Sequence, residues 1–376
     1  MEQESKKYKI LTITPRLNVC GGIESYVMNY YSRIHNEFKM DFITHEISDN
    51  TYKNIIEKNG DSVYLFPKLG LNVFKVKKLV KKFFEEHHDY DIIHCHMANA
   101  AFLYLSIAKK YGIKVRIIHS HQNKAADILS HAIRNIPLIR IGVNKANVYF
   151  ACSKPAGKYL FKNKDFYLIN NAIDPERFNY NPTIRKKIRE ELNIDDDCFL
   201  VGNVGRLCPQ KNQEFLIDVF YLVNQKINSK LIIIGEGELE KNLKTHIKEL
   251  GLKDKVIIHK PVKKIEDYYQ AMDIFVLPSL YEGIGIVNIE AQACGLKVIV
   301  SERVPEIAKI SDLLSFMKLS AGEEAWAKRI IKESSYERKN QKDILKKSNF
   351  DIDDESKKLE DLYVKLIEAK KWDVFL

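Results

Sequence analysis

Short runs of β-branched residues alternate with helix-patterned stretches, and the alternation stops once and begins again; no other feature narrows the fold as much. The first series is KILTIT (9–14), MDFITH (40–45), SVYLF (62–66), DIIH (91–94), KVRIIH (114–119) and VYFAC (148–152). Strands separated by helices in this rhythm predict a parallel sheet with crossover helices. After Leu168–Asn171 the chain becomes polar, with two prolines and a closing acidic triplet, and reads as an interdomain linker followed by one short helix. The alternation resumes with FLVGNVG (199–205), KLIIIG (230–235), KVIIHK (255–260), DIFVLP (273–278) and KVIV (297–300). The expectation is two doubly wound α/β domains in tandem, facing a central cleft. They are placed at 1–170 and 171–357, with 171–197 as the linker. From Glu323 onward only helices are expected, the last carrying Leu359, Leu362, Tyr363 and Leu366 on one apolar face.

A chain of 376 residues, 45% hydrophobic, is long enough to bury two such cores. Its six cysteines show no CxxC spacing, which suits a reducing cytosol and argues against a disulfide framework. No apolar segment has signal-peptide or membrane-spanning length, so the expectation is neither a secreted nor an integral protein. The net charge of +10 is unevenly divided: residues 1–170 hold 26 Lys/Arg against 15 Asp/Glu, and residues 171–376 hold 34 against 35. Ten basic residues and a single acid, Asp127, lie between Lys114 and Lys164. Such a surface suits an anionic partner, nucleic acid or lipid leaflet; a solubilising surface without a partner is the plain alternative. Within it, residues 124–146 set Ile128, Leu129, Ala132, Ile133 and Ile136 at helical spacing among Arg134, Arg140 and Lys145. That segment is either a core-facing helix or one lying in a membrane interface, and Pro137 is expected to divide or kink it.

Chemistry concentrates where strands hand over to helices. Gly21-Gly22 follows the first strand and opens a helix near Glu24, a turn at which backbone amides can approach a phosphate, although a glycine pair there can equally be a tight turn. Its counterpart in the second half is VGRLCPQKNQEF, where Arg206 and Lys211 follow a strand end. Two cations at that edge can neutralise a diphosphate; ordinary exposed cations are the alternative. In LPSLYEGIGIVNIEAQACGLKVIV, Glu282 lies in a glycine-bearing loop and Glu290 on the next helix. The helix amides near Gly283, Ile284, Gly285 and Ile286 can receive phosphates, and the two carboxylates suit vicinal diols such as those of ribose and hexose.

The spacing Glu282-x7-Glu290, the GGIE loop at 21–24, the GR…PQKN run at 205–212 and the NNAID segment at 170–174 together resemble the family 4 glycosyltransferases of GT-B fold. RIIHSHQN (116–123), ACSKPAGKYLF (151–161) and the 311–330 segment resemble most the EpsF-like branch of capsular and exopolysaccharide enzymes. The resemblance implies two Rossmann-like domains, an N-terminal one for the acceptor and a C-terminal one for a nucleotide sugar, with the final helix (358–376) returning to the first. It implies retaining, metal-independent transfer of a hexose-type sugar from a nucleotide sugar, with UDP the preferred carrier, through front-face attack and without a covalent enzyme intermediate. The acceptor it implies is a lipid-linked or oligosaccharide one, on a polyprenyl diphosphate in an anionic membrane, which makes the basic first half intelligible for a cytoplasmic enzyme peripheral on the inner face of the cell membrane. Residue by residue, Gly22 approaches the donor, Arg206 and Lys211 bind its diphosphate, Glu282 holds the transferred sugar and Glu290 the ribose. His119 matches the position beside the reacting sugar, with His94, His96 and His121 as neighbouring alternatives.

The sequence departs from the family at Lys297, where a proline is usual, and at Asn288, which stands in a normally apolar stretch and can face the cleft. The pairs HCH and HSH look like metal ligands, yet strand alternation leaves them without clustered acidic partners, so neither metal nor cofactor is expected. Asp195–Asp197 and the acidic run at 351–354 are discounted as metal motifs because they lie in polar stretches outside the motif loops. The rival readings are a GT-B epimerase or phosphorylase, and a basic nucleic-acid-binding protein; no RNA-reading or helix-turn-helix motif favours the last, and no nucleic-acid partner is expected.

Overall fold

The computed structural model describes residues 8–19, 21–49, 51–70, 73–121, 129–341 and 343–369. The chain forms two compact units, Met1–Ala172 together with Ile352–Leu376, and Ile173–Asp351. The first unit carries strands β1 (Tyr8–Thr14), β2 (Phe38–Thr44), β3 (Val63–Leu65), β4 (Ile92–Cys95), β5 (Val115–Ser120), β6 (Val148–Ala151) and β7 (Tyr167–Leu168). They form one parallel sheet in the order β3-β2-β1-β4-β5-β6-β7. Alternation along each strand splits its side chains between two cores: Leu11, Ile13 and Ile43 pack on one face with the helices Val73–Glu86 and Ala101–Lys110, while Ile10 and Phe42 pack on the other with the helix Gly22–Ile34.

The C-terminal helix, Ile352–Glu368, closes that second core. Its Ile352, Leu359, Tyr363 and Leu366 are buried there among Tyr26, Tyr30 and Phe150, a contribution of about 1.5–3 kcal/mol for each large side chain. The helix begins at Ile352 rather than 358, because Ile352 already belongs to the core of the first unit. Pro137 lies inside a single helix, Leu129–Lys145, and does not divide it. On that helix Ile139 and Val143 join the core, and Ile136, Arg140 and Ile141 are exposed. Ile128 and the side chains of Leu129, Ala132, Ile133 and Arg134, singled out in the sequence, lie outside the described residues.

The second unit holds β8 (Phe199–Val204), β9 (Ser229–Ile234), β10 (Val256–His259), β11 (Ile274–Leu277), β12 (Lys297–Ser301) and β13 (Leu314–Met317), all parallel, in the order β10-β9-β8-β11-β12-β13. The two edge strands β7 and β13 escape the sequence reading: one has two residues, and the other reads LSFM without alternation. Much of what reads as linker is packed structure. Asn181 caps the helix Pro182–Glu191 by accepting from the amides of Thr183 and Ile184. From that helix Arg185 reaches Asp273 at 2.6 Å, and buried Arg189 reaches it at 3.2 Å. The discounted acidic runs have structural work: Asp351 bridges Ile173, Asp353 meets Arg33, and Asp197 accepts from Asn228.

Candidate functional site

In each sheet the chain reverses its direction of progress at one point, between β1 and β4 in the first unit and between β8 and β11 in the second. Loops at the carboxyl ends of such neighbours diverge and leave room for a ligand. In the second unit the loop after β8 and the loop after β11 are clasped together. Gln210 accepts the Leu280 amide at 2.8 Å through its carbonyl, and its side chain donates to the Tyr281 carbonyl at 3.0 Å. Asn212, in the left-handed region at φ 55°, donates to the Pro278 carbonyl at 3.2 Å. PQKN is therefore a clasp, with Gln210 and Asn212 as its hooks.

That clasp aims Lys211 at Glu282, Nζ to Oε1, at 2.6 Å, and both side chains are largely buried. Ser279 donates its hydroxyl to the same Oε1 at 2.7 Å. Both bonds fall on one oxygen, so Oε2 remains the atom through which Glu282 can accept from a ligand. The sequence singles out Lys211 and Glu282 separately; their pairing and Ser279 are not legible there. Arg206 is half-exposed, 3.9 Å from Glu238.

The helix Ile286–Ala293 starts from Gly285, whose φ of +70° would strain any other residue, and whose Cβ would lie 2.6 Å from Asn288 Nδ2. Gly283 and Ile286 are partly exposed, whereas Ile284 turns its side chain into the core and has only its backbone to offer. Asn288 does not face open space. It is fully buried against the Gly285 turn, with neither amide atom partnered. Glu290 accepts from the Tyr269 hydroxyl at 2.8 Å, and burial pushes its carboxyl up to about 7 against the pull of that bond and of Arg177. Arg177 itself grips Glu266 through two bonds of 3.0 and 2.9 Å. Lys297 does more than loosen a turn: its ammonium lies 3.9 Å from Glu333 and 4.9 Å from the Tyr336 ring centre.

In the first unit Gly21 caps the helix Gly22–Ile34, and the buried Glu24 carboxylate folds back over it to hold Arg16 at 2.8 Å. A side chain at Gly22 would meet nothing within 4 Å. Arg16 is a cation of this loop that the sequence reading misses. His119 sits near the end of β5, buried, with Nε2 unpartnered and Nδ1 3.1 Å from His94 Nε2. His96 Nδ1 lies 2.8 Å from His121 Nε2. Strand alternation places His94 and His96 on one face, and the parallel register His94↔Ile117 sets that pair beside His119 and His121. The HCH and HSH pairs are thus each other's partners, which the sequence reading does not foresee. Ligating nitrogens of His94, His96 and His119 lie within 4.8 Å of one another, but both nitrogens of His94 are already bonded, to Tyr363 and to His119, so a cation held by all three would have to displace one of those bonds. Burial holds His94 and His121 down at about 3 and takes His96 and His119 well below the usual imidazole range, so the cluster is neutral.

Residues 20–177 match the family described as Glycosyltransferase Family 4, and residues 184–350 match Glycosyl transferases group 1. The chain is similar to the putative glycosyltransferase EpsF of Bacillus subtilis, with 26% identity over 87% of this chain and 88% of that protein. It is also similar to the UDP-Gal:alpha-D-GlcNAc-diphosphoundecaprenol alpha-1,3-galactosyltransferase of Escherichia coli, at 27% over 80% and 81% of the two chains. In fold it resembles Anabaena HepE, solved in complex with UDP and glucose, with a TM-score of 0.79 at 19% identity over 95% of this chain and 99% of that one.

Proposed function

Since the chain belongs to the glycosyltransferases, with a family 4 first half, a group 1 second half and a GT-B fold, we propose that it transfers a hexose-type sugar, with retention, from a UDP-sugar to a lipid-linked acceptor of capsule or exopolysaccharide assembly. The observation that carries this reading is the Lys211–Glu282 pair, held by the clasped loops at the switch point of the second sheet. A diphosphate arriving there meets Arg206 and Lys211, which stabilise it as negative charge develops on departure. Backbone amides from Gly283 to Ile286 add donors and the positive end of the helix. Glu282 Oε2 accepts from a sugar hydroxyl, and Glu290 from the ribose. In the first unit, Gly22 is assigned to the donor and His119 to the sugar.

The donor class and the lipid-linked acceptor are supported by the relative from Escherichia coli, which acts from UDP-Gal on a diphosphoundecaprenol-linked sugar. Retention and front-face attack are supported by the family resemblance, and metal independence by the amides and cations that can take the place of a divalent ion at the diphosphate. Peripheral attachment is supported by the exposed Arg140 and Ile141 in a basic stretch; no described helix is long and apolar enough to cross a membrane. The test is transfer to a polyprenyl-diphosphate-linked sugar in anionic vesicles containing EDTA, with the anomeric configuration of the product read by NMR. Transfer with the donor's own configuration is expected. An inverted linkage, or a strict need for one divalent ion, refutes the mechanism.

A further inference from the structure

Away from the clasped loops, a chain of hydrogen bonds joins the C-terminal helix to the carboxyl edge of the first sheet. The Tyr363 hydroxyl lies 2.7 Å from His94 Nδ1, and His94 Nε2 lies 3.1 Å from His119 Nδ1. The two imidazoles are parallel to within 1°, and the Tyr26 ring meets His119 edge-on at 5.0 Å. His119 Nε2 is left at the end of the chain, buried and unpartnered. Tyr363, His94 and His119 are each at most 2% exposed.

A neutral imidazole has one N–H and one lone pair, so this chain can run in only two directions. Either Tyr363 donates to His94 Nδ1, His94 Nε2–H donates to His119 Nδ1, and His119 carries its proton on Nε2, or every bond is reversed. Reversal leaves the Tyr363 proton facing the apolar rings of Phe38 and Phe150, 5.8 and 6.4 Å away, with no acceptor there among the described residues. A phenol is also the better acid and an imidazole nitrogen the better base, which makes the first direction the stronger bond. In addition, Nε2–H is the more stable form of free neutral histidine, and the first direction gives it to both rings.

We propose that Tyr363, acting through His94, fixes His119 as the Nε2–H tautomer, so that His119 offers a hydrogen-bond donor to an oxygen of the bound nucleotide sugar; the ligand half of this statement rests on the reading of His119 as a sugar-facing residue. Tyr363 and His94 are positioning residues. The ligand group selected at this point is a hydroxyl, carbonyl or phosphate oxygen, and an ammonium at the same position is rejected because it has no lone pair to accept the N–H.

The tautomer is measured on the full-length protein labelled with 15N-histidine, without any sugar, by long-range 1H–15N correlation, with His119→Gln used only to assign the signals. A bare Nδ1 and a protonated Nε2 on His119 are expected. Tyr363→Phe should move both nitrogen shifts toward the average of the two tautomers and, by lowering the fraction of His119 that presents Nε2–H by up to about half, raise donor KM by up to about twofold with a smaller change in kcat. His94→Gln, whose amide can still donate to His119 Nδ1, should keep the wild-type signature. A His119 protonated on Nδ1 in the wild type overturns the proposal, as does a Tyr363→Phe variant with unchanged shifts and KM. Should that variant fail to fold, His94→Leu, which removes the donor to His119 Nδ1, takes its place: shifts moved toward the average support the proposal and unchanged shifts overturn it. Because the spectrum needs no substrate, a failure to find a donor would count against the proposed function and leave the tautomer result readable.

Discussion

Lys211 and Glu282 hold each other and are proposed to hold a ligand as well, and mutation can separate the two roles. With Glu282 buried, Lys211→Ala leaves a carboxylate without its countercharge, at a cost of about 3 kcal/mol in stability. Lys211→Ala/Glu282→Gln removes both charges and should recover most of that loss in a denaturant titration. Turnover should not recover, because the cation proposed to stabilise the leaving diphosphate is still missing; a loss of about a hundredfold is expected in both variants. Recovery of turnover together with stability would make the pair purely structural. Glu290 gives a second residue-scale test, through pH. Its folded-state carboxyl titrates near 7 and the unfolded one near 4.5, so the folded state holds the extra proton between those values. Its contribution to stability is therefore greatest below about 4.5, falls as pH rises to 7 and is flat above, an effect on the order of 3 kcal/mol. Glu290→Gln should gain stability relative to wild type from pH 5 to pH 8, and a difference independent of pH would contradict the burial argument.

At the scale of elements, the sequence was most readable where one local pattern decided one element. Strand runs of β-branched residues and the apolar face of Leu359, Tyr363 and Leu366 each state their own structure. The edge strands were not readable, because a two-residue β7 and the LSFM of β13 are made by pairing with a neighbour rather than by propensity. The same holds for the histidines: HCH and HSH are ordinary strand sequence until the register of β4 on β5 brings them together. Asn288 reads as a polar residue free to meet a ligand, and only the turn at Gly285 shows it enclosed. The helix Leu129–Lys145 shares its residues between two environments, with Ile139 and Val143 in the core and Ile136, Arg140 and Ile141 outward. Charge reversal of Arg134, Arg140 and Lys145 to Glu should release the protein from anionic vesicles, since each cation is worth about 1 kcal/mol near such a surface. Donor hydrolysis and thermal stability should stay near wild type. Continued sedimentation with those vesicles at low salt, or unfolding, would end the interfacial reading of this helix.

For the whole molecule, the uneven charge and the two sheets describe one division of labour. The first unit holds the basic excess and the neutral histidine cluster, and the second holds the clasped loops and the paired carboxylates. Lys211 and Glu282 could be named from the sequence because their motif spacing is local. Ser279, Tyr269, Arg177 and Arg16 could not, since each acts through a partner brought near by folding. The central claim is that the second unit binds and activates a nucleotide sugar without a metal. It is tested most directly by measuring UDP released from a panel of UDP-sugars by the purified full-length protein in EDTA, beside Lys211→Ala. Release from at least one donor, unaffected by the chelator and reduced about a hundredfold by the substitution, is the predicted result. Release that appears only with an added divalent ion, or that is equal in wild type and Lys211→Ala, would contradict it.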